Sequence, residues 1–291
     1  MPPEIALLTN PTSGMGKGAR SVDEALPRLR DAGYVVRNLV GRDADEALDL
    51  ARQCVADGLE TLVVVGGDGM VHLALQAVAD TDTCLGLIPA GTGNDVARYF
   101  DIPRNDTAAA TDVVIGGKER RVDLARVGSQ YFVTVLAAGF DAIVNERANE
   151  MTWPRGQMRY NLATIAELRT FKPIPYVLEL DGEQHRFEAM MVAVGNGPSF
   201  GGGLRITEGA VLDDGLLDVV IIAPMSKLEL VMTYPKLFKG THIHHPDYRH
   251  HHARKITIAA PGITAYADGE RIAALPLTVE VAPLALRVLV P

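Results

Sequence analysis

The chain has 291 residues, 47% of them hydrophobic and 22% charged, which suits one large core or two ordinary ones and excludes a disordered or collagen-like chain. Its 28 Lys and Arg against 36 Asp and Glu leave a formal net charge of −8, so a global electrostatic grip on nucleic acid is not expected. Cys54 and Cys84 lie outside any Cys-x-x-Cys pattern and read as free, buried thiols of a reducing compartment. The first residues lack the basic and apolar regions of a signal peptide. No apolar run approaches the ~18–20 residues that span a bilayer, so a soluble, cytoplasmic protein is expected.

In chain order, strand and helix signals alternate at first. Ile5–Leu8 reads as a strand, Ser21–Asp31 as a helix and Tyr34–Val40 as a strand. A helix follows over Asp43–Ala56, a buried strand over Thr61–Val65, a helix over Met70–Val78 and a strand over Leu85–Ile88. Such alternation implies parallel strands joined by crossover helices. After about Gly116 the pattern becomes mainly strands: Arg121–Val127, Gln130–Ala137, Tyr176–Leu180, Glu188–Val194, Gly215–Ile222, Ile256–Ala260, Ile263–Ala267, Leu277–Val281 and Leu286–Val290. Helical stretches interrupt them near 145–169 and 227–239. The expected architecture is an α/β N-terminal domain with a parallel sheet over residues 1–120, then a mainly antiparallel β-sandwich domain over 121–281. Residues 282–291 are candidates to return to the first domain.

Three of the early strands end in turn-rich clusters: Asn10-Pro11-Thr12-Ser13-Gly14, Gly66-Gly67-Asp68-Gly69 and Pro89-Ala90-Gly91-Thr92-Gly93-Asn94-Asp95. Ligands of parallel α/β sheets bind outside the carboxyl ends of the strands. Glycines there let backbone N–H groups approach phosphate oxygens, and a following helix N-terminus adds positive potential. One such loop signals only a tight turn; three together point to phosphate binding. Gly14–Gly18 does not match a P-loop, and no Gly-x-Gly-x-x-Gly follows the first strand, which counts against a dinucleotide dehydrogenase.

These three clusters, with Asp213-Asp214-Gly215-Leu216-Leu217-Asp218 and Ala267-Asp268-Gly269-Glu270, resemble in order the signatures of the diacylglycerol kinase catalytic family. That family includes soluble bacterial lipid kinases and sphingosine kinases and is distantly related to NAD kinases. The resemblance implies transfer of the γ-phosphoryl group of ATP, with Mg²⁺, to a lipid hydroxyl, with the active site in a cleft between the two domains. Asn10, Pro11, Thr12, Ser13, Gly14, Gly66, Gly67, Asp68, Gly69, Thr92 and Asn94 would hold the nucleotide. Glu270 or Asp268 would be the base that takes the lipid hydroxyl's proton, with Asp68 positioning metal and phosphates. Val211 and Leu216 carbonyls with the Asp214 carboxylate would bind a structural Mg²⁺, an oxygen-only set suited to a hard cation. A plain hairpin turn at Asp213-Asp214-Gly215 is the competing reading, and Asp181-Gly182 reads as a turn dipeptide.

Two positions depart from the family pattern: Met70 where Thr usually follows Gly-Gly-Asp-Gly, and His72 where Asn or Glu is common. They leave a catalytically weakened nucleotide- or lipid-binding protein as a rival reading. Six of the eight histidines lie between His242 and His252. A metal site and protonation near an anionic membrane are both open for them. A solvated loop and strand onset is preferred, because no Cys or carboxylate pairing supports a site. The apolar residues of Lys227–Lys239, flanked by Lys227, Lys236, Lys239 and Arg249, either lie at a bilayer or lipid entrance or pack as a core helix. Trp153 with Arg155, Arg159 and Arg169 offers the same two choices. The expected acceptor is diacylglycerol, giving phosphatidic acid, with another lipid or a soluble acceptor as the alternative. The expected partner is a lipid substrate at the inner membrane face, without nucleic acid. Peripheral membrane contact and a homodimer are left open.

Overall fold

The computed structural model describes residues 2–9, 17–151, 153, 162–163, 166–167 and 172–291. The chain divides into two compact units. The first takes Met1–Leu124, Leu212–Asp214 and Ala282–Pro291, and the second takes Ala125–Val211 and Gly215–Val281.

The first unit runs β1 (Glu4–Thr9), α1 (Lys17–Asp31), β2 (Val35–Val40), α2 (Ala44–Ala56), β3 (Thr61–Gly66), α3 (Asp68–Val78), β4 (Cys84–Pro89), α4 (Asp95–Tyr99) and α5 (Thr107–Gly116), and then opens β5 (Glu119–Val127). Its sheet has the order β2-β1-β3-β4, continued by the end of the last strand, and the pairs β1–β2, β1–β3 and β3–β4 are parallel. β4 is buried along its whole length and β3 along all but its first residue, which is why both are uninterrupted apolar runs in the sequence. Asp43 caps α2 by accepting a hydrogen bond from the Glu46 backbone N–H at 2.9 Å. Asp106 caps α5 through the Ala109 N–H, also at 2.9 Å. Helix α5 is not legible as a helix in the sequence, because Ala108, Ala109, Ala110, Val113, Val114 and Ile115 spread apolar residues round it and leave no one-faced stripe. Cys54 and Cys84 are free and buried, and burial pushes the Cys84 thiol up to about 12.

The second unit holds two antiparallel layers. One has the order β12 (Tyr248–Ala253), β11 (Leu217–Ile222), β10 (Met191–Gly195), β7 (Val135–Gly139), β14 (Thr264–Ala267) and β15 (Glu270–Ala274). The other pairs β9 (Glu183–Ala189) with β8 (Ile174–Leu180), β8 with β13 (Lys255–Ala259) and β13 with the first half of β16 (Leu277–Leu289). The short β6 (Gln130–Phe132) pairs with the end of β5. Phe132, Leu136, Val192, Val194 and Val219 pack with Tyr176, Leu178, Ile256, Ile258 and Val279 into one buried cluster between the layers. The Tyr176 hydroxyl donates to the Ala138 carbonyl at 2.8 Å, so this buried ring ties β8 to β7.

Several elements differ from the sequence reading. Gln130–Ala137 is two strands, β6 and β7, and Glu188–Val194 divides between β9 and β10. β9 extends back to Glu183 through exposed and half-buried positions, a polar edge strand without an apolar run to announce it. Leu277–Val281 and Leu286–Val290 are parts of one strand, β16, whose first half pairs with β13 and whose second half pairs in parallel with β4. The expected helix near 145–169 begins earlier, as α6 (Phe140–Glu150). Arg155, Arg159 and Arg169 lie outside the described residues, and Trp153 is 75% exposed. α7 (Lys227–Leu237) starts in a full capping box, with the Ser226 hydroxyl accepting from the Glu229 N–H and the Glu229 carboxylate accepting from the Ser226 N–H. No helix among the described residues is long and apolar enough to cross a membrane.

Candidate active site

In the first unit, β3 and β4 lie side by side in parallel register, with Gly66 opposite Pro89, so the turns that leave them emerge together. The backbones of Gly67 and Gly91 pack so closely that a Cβ on Gly91 would sit 2.5 Å from the Gly67 Cα. Only glycine fits at this crossing. Asn94 locks the second turn. It adopts a left-handed backbone, φ 50°, and its buried amide bonds Gly91 in both directions at 3.0 Å, accepting from the N–H and donating to the C=O. The Asp68 carboxylate accepts the Val96 N–H at 3.3 Å and so joins the start of α3 to the start of α4. Gly67, the N-cap of α3, has no side chain with which to cap the first turn. A cavity of about 210 Å³, its mouth included, lies beside Gly66, Gly67, Asp68, Pro89 and Asn94. Thr92, on the turn after β4, is exposed. Asn10, Pro11, Thr12, Ser13 and Gly14 lie outside the described residues.

Of the two departures from the family pattern, Met70 is buried on α3 and His72 is half-buried. The His72 carbonyl accepts from the Gln76 side chain at 2.9 Å.

The acidic turn before β11 is anchored within the first unit by a residue that sequence reasoning passed over. Asp123 is buried; its N–H donates to the Leu212 carbonyl at 2.6 Å and its carboxylate accepts the Leu284 N–H at 2.7 Å. Asp213 pairs with Arg120 at 2.8 Å. Asp214 and Val211 are exposed, and Leu216 is half-buried.

In the second unit, Asp268-Gly269 is a two-residue hairpin loop between β14 and β15. Both residues have positive φ, 53° and 86°, the backbone of a type I′ turn, which is the shape that Asp-Gly favours. The Asp268 carboxylate folds inward. It accepts the Thr134 N–H at 2.9 Å, the Thr134 hydroxyl at 2.5 Å and the Val133 N–H at 3.3 Å. With three donors and 8% exposure, it holds the hairpin to the segment before β7. Glu270, the first residue of β15, is exposed. Of the two carboxylates proposed for the base, Glu270 therefore has solvent access and Asp268 is engaged as a clamp. Thr134 could not be found from sequence, since its partner is 134 residues away. Asp181-Gly182 is also a positive-φ turn, and the Asp181 carboxylate accepts from the Arg254 and Lys255 N–H groups.

The second unit also holds an apolar cavity of about 470 Å³, its mouth included. Leu230, Thr233, Tyr234 and Leu237 of α7 form one wall, with His242 and Tyr248 among the other lining residues. His242 is buried and not solvated, so the preferred reading of the histidine run fails at that residue. Its Nε2 donates to the Ile206 carbonyl at 3.1 Å, and burial lowers its pKa. The His242 Nδ1 and the Tyr248 hydroxyl are buried without a hydrogen-bond partner among the described residues. The opposite face of α7 carries Leu228, Val231 and Met232, exposed by 69%, 51% and 64%. Apolar residues thus cover both faces of this helix.

Comparison with known proteins covers nearly the whole chain. The family model of the diacylglycerol kinase catalytic domain matches residues 4–127, and that of the YegS C-terminal NAD kinase beta sandwich-like domain matches residues 134–290. A diacylglycerol kinase of Mycobacterium tuberculosis (strain ATCC 25618 / H37Rv) is 42% identical over 294 aligned positions, covering 99% of this chain and 95% of that protein. A diacylglycerol kinase of Bacillus subtilis (strain 168) is 28% identical, covering 81% and 79%. A crystal structure of a diacylglycerol kinase from Bacillus anthracis str. Sterne matches 99% of this chain and 97% of its own with a TM-score of 0.81, and at 24% identity that likeness speaks to the fold alone. Both family models and the long 42% identity show that the chain belongs to the diacylglycerol kinase catalytic-domain family and is, in class, a kinase.

Proposed function

We propose that the chain transfers the γ-phosphoryl group of ATP, with Mg²⁺, to a lipid hydroxyl, with diacylglycerol as the acceptor and phosphatidic acid as the product. The observation that carries this reading is the pair of glycine turns at the ends of β3 and β4, in backbone contact at Gly67 and Gly91. The residues present fit the nucleotide. The cradle admits no side chain at Gly91, and the first turn of the 11-residue α3 points its N–H groups to a position without a side-chain cap. They fit Mg²⁺ as well, since Asp68 and Asp214 offer hard oxygen donors. When bound, ATP supplies the phosphoryl group and Mg²⁺ spreads its charge during transfer.

The chain's own residues then divide the work. Gly66, Gly67, Gly69, Thr92 and Asn94 hold the phosphates, as do Asn10–Gly14 by resemblance, and Asp68 orients metal and phosphates. Glu270 accepts the hydroxyl proton as the acceptor oxygen bonds to the γ-phosphorus and ADP departs. Asp268 acts as a positioning residue for that carboxylate. Val211, Asp214 and Leu216 are proposed ligands of a second, structural Mg²⁺.

A lipid acceptor is favoured over a soluble one by the apolar cavity behind α7 and by the exposed stripe of Leu228, Val231 and Met232. Lys227, Lys236 and Lys239 are exposed beside the stripe, so α7 suits peripheral contact with an anionic membrane face. The deciding experiment follows labelled γ-phosphate from Mg²⁺–ATP to a panel of lipid alcohols in mixed micelles, with wild type beside Glu270→Gln and Asp68→Asn. Transfer to diacylglycerol, lost in both variants, is the expected result. ATP binding without transfer to any lipid would overturn it in favour of a soluble acceptor or a binding protein.

A further inference from the structure

We propose that Asp218, His250 and His252 form a binding site for a divalent transition-metal ion of the Zn²⁺ class. It shares no residue with the phosphate-binding loops or with the oxygen-donor segment before β11. It arises from strand register alone. β12 pairs antiparallel with β11, placing His252 opposite Asp218 and His250 opposite Val220, so the two imidazoles, two residues apart, project from one face of the strand. Both Nε2 atoms converge on a single carboxylate oxygen. Asp218 Oδ1 lies 2.6 Å from His250 Nε2 and 3.3 Å from His252 Nε2, and the two rings stand 4.6 Å apart.

The chemistry of the set is selective. Two nitrogens and one oxygen suit Zn²⁺, Co²⁺ or Ni²⁺, and they suit Mg²⁺ and Ca²⁺ poorly because those ions take oxygen donors. A tetrahedral Zn²⁺ with bonds of about 2.1 Å needs donor atoms about 3.4 Å apart. The Asp218–His252 separation already meets this, the Asp218–His250 pair has to open by under about 1 Å, and all three donor atoms lie within 4.8 Å of one another. The arrangement is graded in burial. Asp218 is 3% exposed at the base, His250 28%, and His252 51% at the mouth, so an ion can enter from solvent and keep at least one open coordination position. β12 is the terminal strand of its sheet, and an ion held here would fasten that edge to β11. His251 points to the opposite face, where its ring lies 6.4 Å from that of His185. The three consecutive histidines are therefore not equivalent.

The test uses the tag-free full chain, titrated calorimetrically with ZnCl₂ in buffer containing Mg²⁺, together with the visible spectrum of the Co²⁺-loaded protein. Wild type is expected to bind one equivalent of Zn²⁺ and to show the d–d bands of a low-coordinate Co²⁺ site. His252→Gln and His250→Gln are expected to weaken Zn²⁺ binding about tenfold or more and to lose those bands. His251→Gln should behave as wild type. His252 is half-exposed, so its replacement keeps the test valid if Asp218→Asn fails to fold; thermal unfolding of each variant verifies this. No saturable Zn²⁺ binding, undiminished binding in His252→Gln, or an equal loss in His251→Gln would each overturn the site.

Discussion

Asp268 and Glu270 stand two residues apart and have different surroundings, which separates their expected roles. The Asp268 carboxylate is filled by three donors from Val133 and Thr134, whereas Glu270 is exposed. Glu270→Gln is expected to lower kcat by about 10²–10⁴-fold and leave the melting temperature unchanged. Asp268→Ala leaves buried donors without an acceptor and should cost about 1–3 kcal/mol of stability or more, visible as a lower melting temperature alongside any loss of turnover. His242 gives a residue-scale prediction about pH. Burial holds its imidazole below the ordinary 6.5, so the folded chain keeps it neutral where an unfolded chain would bind a proton. Its contribution is complete above pH 6.5 and is lost as pH falls through the depressed folded value. Denaturant unfolding should therefore show stability dropping with pH below 6.5, with a shallower slope in His242→Gln. An unchanged slope in that variant would assign the effect to another group.

At the scale of elements, α7 is the informative case. Its inner residues line a cavity, and its outer residues Leu228, Val231 and Met232 face solvent. The sequence leaves this helix as either a core helix or one at a bilayer or lipid entrance, and apolar side chains lie on both its cavity side and its solvent side. Leu228→Ser with Met232→Ser removes exposed apolar surface without opening the core, so stability should stay within about 0.5 kcal/mol. Co-sedimentation with anionic vesicles should fall several-fold, and retained sedimentation would show that this face does not meet lipid. β12 illustrates the opposite situation. Its sequence, Tyr248-Arg-His-His-His-Ala253, has no apolar alternation, yet it forms a strand because β11 offers it a hydrogen-bonding edge. The edge position explains the polar composition.

At the scale of the whole molecule, the first unit is assembled from three separate stretches of chain. Its last stretch, Ala282–Pro291, lays the end of β16 beside β4, with Arg287 opposite Cys84 and Val288 opposite Leu85. Leu286, Val288 and Leu289 are buried there, and the Asp123 carboxylate grips the Leu284 N–H. Removing residues 282–291 would open the edge of a hydrophobic parallel sheet and strip these side chains from its core. The expected result is an aggregating chain, read by size-exclusion chromatography and circular dichroism. A monodisperse truncated chain with unchanged secondary structure would mean that the sheet is complete without it.

The sequence by itself determined the α/β half and the family. Buried parallel strands are continuous apolar runs such as Thr61–Val65, and the glycine clusters at their ends are local signals written in a few adjacent residues. Asp-Gly at 181–182 likewise announced its turn. Tertiary structure decided what depends on residues distant in the chain. The contact of Thr134 with Asp268, the anchoring of Leu212 and Leu284 by Asp123, the fusion of two expected strands into β16, and the meeting of Asp218 with His250 and His252 are all of this kind. Pairing register has no local signature. Which carboxylate is clamped, which is exposed and which faces two imidazoles follows from where strands align, and that alignment exists only in the packed fold.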